Sequence, residues 1–510
     1  MTSIRQKVAS GTVWVILTRF IDRGIGFLST LILARILLPS DFGVLALTMS
    51  VVAILDLIRR FGFEIVLVSQ HDAGRDHFDT VWTLNILFSV AVSLLIVLAA
   101  QPTADFYDEP KLVSVMMVVA LRPLFEGLRN VGVVSFQKEL RFAAEFRYLT
   151  IVRIVAFAIG ITLGLILRNY WALVITMVAS HAVRTGLSYV VHPYRPRLSL
   201  KSIRELMSFS SWLAISNVAQ LVIIQGPTVI IGKLVGTHAL GVFSLSYELG
   251  FLPSTELSAP INRAVFPAYA SKGSDKGALG RGFLEVIAVI AMVVVPTGVG
   301  LAAVAEFAVP VLLGEKWRDA IPLVALLALY GSCKALYSNT GYIFLVTKRP
   351  WMILFIGLVE AAILVPLLLY GVATAGVIGA CWALLVSIGV TVPMAFGFVL
   401  SQLGLSVWAL LDRIWRPAIS GGVMWMAVAG VKTVMTSSGQ GVGLLDELVI
   451  CSGVGAVIYV ASELALWKIS GCPDGAEQVA LNGLAEGRRR GLEYWNGFRG
   501  QDRPGDGTKQ

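Results

Sequence analysis

The sequence predicts an all-α polytopic membrane protein of about fourteen transmembrane helices. Three observations carry this. Of 510 residues, 56% are hydrophobic and 14% charged; mean hydropathy is +0.78; and apolar windows of about 20 residues, enough for one helix to cross a bilayer, recur along the chain. Soluble chains carry about 25% charged residues, so this one could not cover its apolar surface with polar groups. The spans use up nearly the whole chain. That excludes a sizeable extramembrane catalytic domain and places any function inside the bilayer.

The windows run over 11–38, 42–68, 81–100, 112–136, 146–167, 171–191, 206–235, 240–265, 283–304, 321–346, 351–370, 376–400, 414–434 and 444–467. Loop charges test the count. One side collects Arg5, Lys7, Arg75, Lys138, Arg141, Arg147, Arg195, Arg197, Lys201, Arg204, Lys272, Lys276, Arg281, Lys348, Arg349, Arg413 and Arg416. The other holds only Lys111, Arg168, Lys316, Arg318 and Lys432. Seventeen against five follows the positive-inside rule with both termini cytoplasmic. The start, Met1–Ser10, lacks a short apolar core followed by a small-residue cleavage site, so the first span is expected to be retained.

Sliding the chain by 198 positions lays Trp14 on Trp212, Arg35 on Lys233 and Gly43 on Gly241. Each aligned segment begins a group of six spans and starts on the same side, so the repeat is parallel. Such a duplication predicts two similar lobes with a cavity between them. The expected organisation is an N-terminal lobe over 1–195 (spans one to six), a C-terminal lobe over 196–402 (spans seven to twelve), an extra helix pair over 403–467 and a cytoplasmic tail over 468–510. The tail, with Arg488, Arg489 and Arg490, reads as a loosely ordered end or a weak headgroup attachment.

A charge at mid-span costs on the order of 2.5–3.5 kcal/mol even on insertion scales, and this chain carries many. Span one has Arg19, Asp22 and Arg23 on one face; span two has Asp56, Arg60 and Glu64 in a row. Span four has Arg122, Glu126 and Arg129 beside Pro123; further along come Arg153, Glu248, Arg263, Lys334 and Glu360. Arginines and carboxylates sharing a face can simply neutralise one another and hold helices together, or snorkel to water. The deep positions Arg122, Arg129, Arg153 and Lys334 together instead predict a hydrated cationic cavity. Such a cavity suits an anionic passenger, because guanidinium binds phosphate oxygens in charge-assisted pairs. Glu248 and Glu360 have no cation one turn away in the sequence and are the candidates for proton or sodium coupling.

Other signals are bland. Cys333, Cys381, Cys451 and Cys472 lack CxxC spacing and read as free thiols. The 71–79 loop with His71 and His77 reads as a solvated turn, so no metal site is expected. Gly160 and Gly164 read as a close-packing GxxxG pair. No P-loop or nucleophile elbow is present. The excess of 41 Lys+Arg over 32 Asp+Glu serves topology and anionic headgroups, with no nucleic acid as partner.

Three motifs add a resemblance. LLPSDFGVLAL (Leu37–Leu47), QKELRF (Gln137–Phe142) and LLGEKW (Leu312–Trp317) resemble, in order and spacing, the polysaccharide transporter family of the multidrug/oligosaccharidyl-lipid/polysaccharide exporter superfamily, particularly its Wzx and colanic-acid-exporter branch. The likeness spans roughly Thr2–Gln402. It implies a flippase for undecaprenyl-diphosphate-linked oligosaccharides, with two six-helix lobes rocking around a cationic cavity. It further implies Arg19, Arg23, Arg60 and Arg263 as diphosphate contacts.

The expected protein is therefore an inner-membrane flippase without cofactors. Its partners would be a lipid-linked oligosaccharide, membrane lipids and the polymerase and chain-length-control proteins of the same pathway. Two alternatives stay open: a cation-coupled multidrug-type exporter, and a membrane-embedded polysaccharide polymerase or glycosyltransferase. The first would carry fewer deep cations, and the second a long external loop with catalytic residues.

Overall fold

A computed structural model describes residues 4–59, 67, 74–252, 258–272, 275–437, 443–473 and 475–478. Among these the regular structure is helical throughout, with no strand. The helices are α1 (Ile4–Ile36), α2 (Pro39–Leu55), α3 (Arg75–Tyr107), α4 (Lys111–Val119), α5 (Leu121–Leu128), α6 (Phe142–Leu167), α7 (Tyr170–Val191), α8 (Ile203–Leu234) and α9 (Thr237–Gly250). They continue as α10 (Ala259–Lys272), α11 (Lys276–Leu313), α12 (Ile321–Ser338), α13 (Thr340–Val346), α14 (Trp351–Leu403), α15 (Val407–Ser437) and α16 (Leu444–Ile469). Helix dominates because a backbone in hydrocarbon must satisfy its own polar groups. Eight helical stretches among the described residues are long and apolar enough to cross a membrane, α3, α6, α7, α11, α14, α15 and α16 among them.

One expected span differs. The window 112–136 is broken into α4, α5 and short turns up to Lys138. Pro123 has no N–H to donate to Val119, the chain steps at Ala120, and the Ser93 hydroxyl donates to the Ala120 carbonyl at 2.6 Å. The windows 351–370 and 376–400 are two helices, numbered together as α14, that meet at a kink at Ala375 and Gly376, where the sequence places the boundary. Gly376 sits at φ 58°, the left-handed region where glycine is unstrained.

The chain divides into two compact units. The first comprises 1–249, 305–327 and 353–388; the second comprises 250–304, 328–352 and 389–510. In the first unit α1 packs on α6, α6 on α7, and α3 on α4 and α5. Gly160 of α6 faces Thr176 of α7, while Gly164 faces Leu33 of α1, so small residues let α6 approach both neighbours. In the second unit α15 packs against α16 and α10 against α13. Its core includes Ile290, Val294 and Ala335.

The sequence motifs are the fasteners of the first unit. In LLPSDFG, Pro39 opens α2 and the Asp41 carboxylate accepts the Leu38 amide at 2.8 Å. Its other oxygen accepts the Tyr170 amide at the start of α7, at 3.0 Å. In LLGEKW, Trp317 Nε1 donates to the Ala34 carbonyl at 2.9 Å, and Lys316 Nζ to those of Arg35, at 3.1 Å, and Leu37. These are carbonyls that the end of α1 leaves unmet. Arg35 returns the service to α11, donating to the carbonyls of Val311 and Leu312.

The first unit also carries a reciprocal contact that matches the repeat offset. A Cβ on Gly43 would lie 1.8 Å from the Thr237 carbonyl oxygen, and one on Gly241 would lie 1.7 Å from that of Pro39. Both pairs obey the 198-residue offset, Pro39 with Thr237 and Gly43 with Gly241. Equivalent positions thus meet each other across a local pseudo-two-fold, and only glycine permits the approach.

Candidate substrate-binding site

Three groups of charged side chains lie within the first unit. In the first group, the Arg122 guanidinium of α5 reaches Asp56 at 3.3 Å and the His181 ring of α7 at 3.4 Å. In the second, Glu126 stands between two cations, Arg129 at 3.2 Å and Arg184 of α7 at 3.7 Å. The Tyr148 hydroxyl of α6 donates to the Arg184 carbonyl at 2.8 Å. Neighbouring bonds from Thr185 to the Phe125 carbonyl (2.6 Å) and from Tyr189 to that of Leu128 (2.8 Å) seam α7 to α5. Arg129, Glu126 and Arg184 are thus held in place by a polar helix–helix interface.

In the third group, Arg153, at the middle of α6, pairs with Asp22 of α1 at 3.3 Å and donates to the Asp22 carbonyl at 3.1 Å. Its guanidinium lies where a Cβ on Gly26 would be, so the glycine makes its berth. Glu248 of α9 accepts a long bond from Thr30 at 3.5 Å and feels both Arg23 and Arg153. Arg19 is half-buried one turn before Arg23, which is exposed, as are Asp22 and Glu248.

This exposure carries physical weight. Asp22 and Arg23 midway along α1 and Arg153 midway along α6 would otherwise face hydrocarbon, which is costly; such groups face the bundle interior or a water-filled cavity. Arg129 and Arg184 share one carboxylate, Glu126, and Arg23 and Arg153 both act on Glu248.

The remaining candidates lie elsewhere. Glu360 of α14 is 2% exposed and faces Tyr247 of α9, so it is packed inside, unlike Glu248. Lys334 of α12, in the second unit, is half-buried with its ammonium 5.2 Å from the Tyr337 ring centroid. Arg60 lies outside the described residues. The backbone of Arg263 falls in α10, but its side chain is outside what is described. Asn262 of α10 donates to Ser338 at 2.7 Å and accepts from Asn339 at 2.8 Å.

Sequence reasoning missed His181 and Arg184. The available signal was their i, i+3 spacing on span six, which puts both on the face turned to α5. Among the described residues no group of three or more His, Cys, Asp or Glu is placed to hold a metal ion.

An all-helical fold with fixed charges at mid-span defines a membrane transporter-like class, and known structures agree on the fold. The lipid II flippase MurJ in its inward closed conformation superposes with a TM-score of 0.72 at 10% identity, covering 90% of this chain and 99% of that one. An inward-facing multidrug resistance MATE family transporter gives 0.60 at 12% identity, covering 77% and 98%. At the sequence level, residues 32–322, more than half of the chain, match the family described as polysaccharide biosynthesis protein. The chain belongs to that family. Among its relatives, lipopolysaccharide biosynthesis protein WzxC of Escherichia coli (strain K12) is 24% identical over 81% of this chain and 85% of its own. The succinoglycan biosynthesis transport protein ExoT of Rhizobium meliloti (strain 1021) is 26% identical over 62% and 64%.

Proposed function

We propose that this protein moves undecaprenyl-diphosphate-linked oligosaccharide repeat units across the inner membrane, for exopolysaccharide, capsule or O-antigen synthesis. The observation that carries the reading is the charge group that α1, α6 and α9 bring together, Arg153 on Asp22 with Arg23 and Arg153 acting on Glu248, on a fold shared with a lipid flippase. The diphosphate displaces the internal carboxylates from Arg19, Arg23 and Arg153 and exchanges onto Arg122 and Arg129; the glycan stays in water and the polyprenyl tail in lipid. Carboxylates that re-pair with the arginines after release prevent trapping of the cargo. Arg60, Arg263 and Lys334 complete the proposed phosphate contacts. The repeat halves 1–195 and 196–402 are the moving lobes of an alternating-access cycle, and both termini are cytoplasmic. No bond is made or broken, so the chain is a transporter and not an enzyme.

Glu248 is the better coupling group of the two acids, because it stands among the arginines the cargo would occupy. Membrane potential can also bias the cycle, since moving one charge through 100 mV is worth about 2.3 kcal/mol. The test is deletion of the gene followed by complementation. Lipid-linked oligosaccharide should accumulate on the cytoplasmic face, and the wild-type gene should clear it. Arg153→Gln should not. No accumulation on deletion would remove the reading.

A further inference from the structure

His181 stands halfway along α7, half-buried, with both ring nitrogens engaged. Nδ1 lies 2.9 Å from the Met177 carbonyl, one turn back. A carbonyl only accepts, so Nδ1 carries a proton. Ser180 Oγ is farther from Nδ1, at 3.5 Å, and donates to the same carbonyl at 2.7 Å. On the other side of the ring, Arg122 Nε of α5 donates to Nε2 at 3.4 Å. A guanidinium has no acceptor to offer, so Nε2 presents a lone pair. The two contacts together assign the neutral ring, protonated on Nδ1.

The charged groups that act on this ring are Arg122 and Glu126 of α5 and Arg184 of its own helix. Asp56 lies beyond Arg122, which it meets at 3.3 Å, and Glu126 is engaged by Arg129 at 3.2 Å and by Arg184 at 3.7 Å. From α6 comes Tyr148, whose hydroxyl is committed to the Arg184 carbonyl at 2.8 Å. A proton on Nε2 would point at the Arg122 guanidinium and replace a hydrogen bond with like charges face to face. A diphosphate reverses that balance. Once the guanidinium turns to phosphate oxygens, Nε2 loses its donor, and the anion beside it favours the charged ring. A proton from solvent then enters on Nε2 and is shared with a phosphate oxygen in a charge-assisted bond. The ring keeps its orientation throughout, because Nδ1–H stays on the Met177 carbonyl.

We infer that His181 is a phosphate ligand that takes up a proton when the diphosphate draws Arg122 away from it, and gives the proton back when the diphosphate leaves. This rests on the diphosphate-transport reading and adds to it a proton bound together with the cargo. Linkage is reciprocal, so the proton raises the affinity for the cargo by the factor by which the cargo raises the affinity for the proton.

The test uses the full-length protein in nanodiscs and a farnesyl-diphosphate-linked monosaccharide, whose phosphates are both esterified and do not titrate near neutral pH. Affinity should fall as the pH rises, by about tenfold per pH unit past the titration point. Calorimetry in buffers of differing ionisation enthalpy should show proton uptake on binding. His181→Gln keeps a neutral acceptor for Arg122, so it should bind with neither pH dependence nor proton uptake. Arg122→Gln removes the guanidinium that opposes the proton. It should bind more weakly, with the titration point moved to higher pH, and it decides the matter if His181→Gln does not fold. The inference is overturned if the wild type binds the probe without proton uptake, if uptake persists in a folded His181→Gln, or if Arg122→Gln leaves the titration point where it was. Each of these leaves the transport reading standing, whereas a folded wild type that binds the probe at no pH removes both.

Discussion

At the scale of single residues, a charge has meaning only with its partners. Arg122 and Asp56, 66 residues apart in sequence, meet at 3.3 Å with side chains 19% and 8% exposed. A double-mutant cycle of Arg122→Gln with Asp56→Asn should give a coupling of about 1–2 kcal/mol in unfolding measurements, the upper range for polar pairs between membrane helices. Arg153 makes a different prediction, because it belongs to the exposed group. Arg153→Lys keeps the charge but loses the planar fork, so it should transport poorly while folding normally; Arg153→Gln should abolish transport. Export in complemented cells, against protein level in the membrane, separates the two effects. The charges themselves were legible from sequence, but their pairing was not. Glu248 lacks a cation one turn away, yet helices distant in sequence bring Arg23 and Arg153 to bear on it.

At the scale of elements, helix ends and connectors are where side chains do the work of the backbone. Trp317→Phe keeps the edge-on contact with Phe42 (5.4 Å between centroids) and removes the donor to the Ala34 carbonyl. The cost should be about 1–2 kcal/mol, read as a lower unfolding midpoint. The connector after α7 adds a pH dependence. His192 Nδ1 accepts the Tyr194 amide at 3.2 Å, and Nε2 meets Ser135 Oγ at 3.0 Å. Burial holds the His192 ring below its ordinary value of 6.5; Glu139 opposes this, and Arg141 and Arg195 add to it. The folded state therefore takes up a proton later than the unfolded one, so its stability is complete above pH 6.5 and falls as the pH drops below it. Hydrogen exchange in residues 192–200 should speed up on acidification below that point, and His192→Gln should flatten the profile. The spans were legible because hydropathy follows bilayer thickness. The break at Ala120 was not, since it takes Pro123 together with a hydroxyl from another helix to make it.

At the scale of the whole molecule, the duplication read from aligned residues reappears as a reciprocal contact at Gly43 and Gly241. Gly43→Ala or Gly241→Ala should each cost about 1–3 kcal/mol by overpacking. Gly389→Ala, with open space around it, should be neutral or slightly stabilising; thermal unfolding in detergent distinguishes them. The membrane class and the family were legible from composition and three short motifs, whose ends prove to be helix caps and close approaches. The convergence of Asp22, Arg23, Arg153 and Glu248 was not, because no local spacing encodes which helices become neighbours. The central claim is tested most directly by reconstituting the purified protein in liposomes with a lipid-linked oligosaccharide on one face and following its appearance on the other. The account predicts flipping by the wild type that is lost in Arg153→Gln, and equal flipping by the two proteins, or none by a folded wild type, would contradict it.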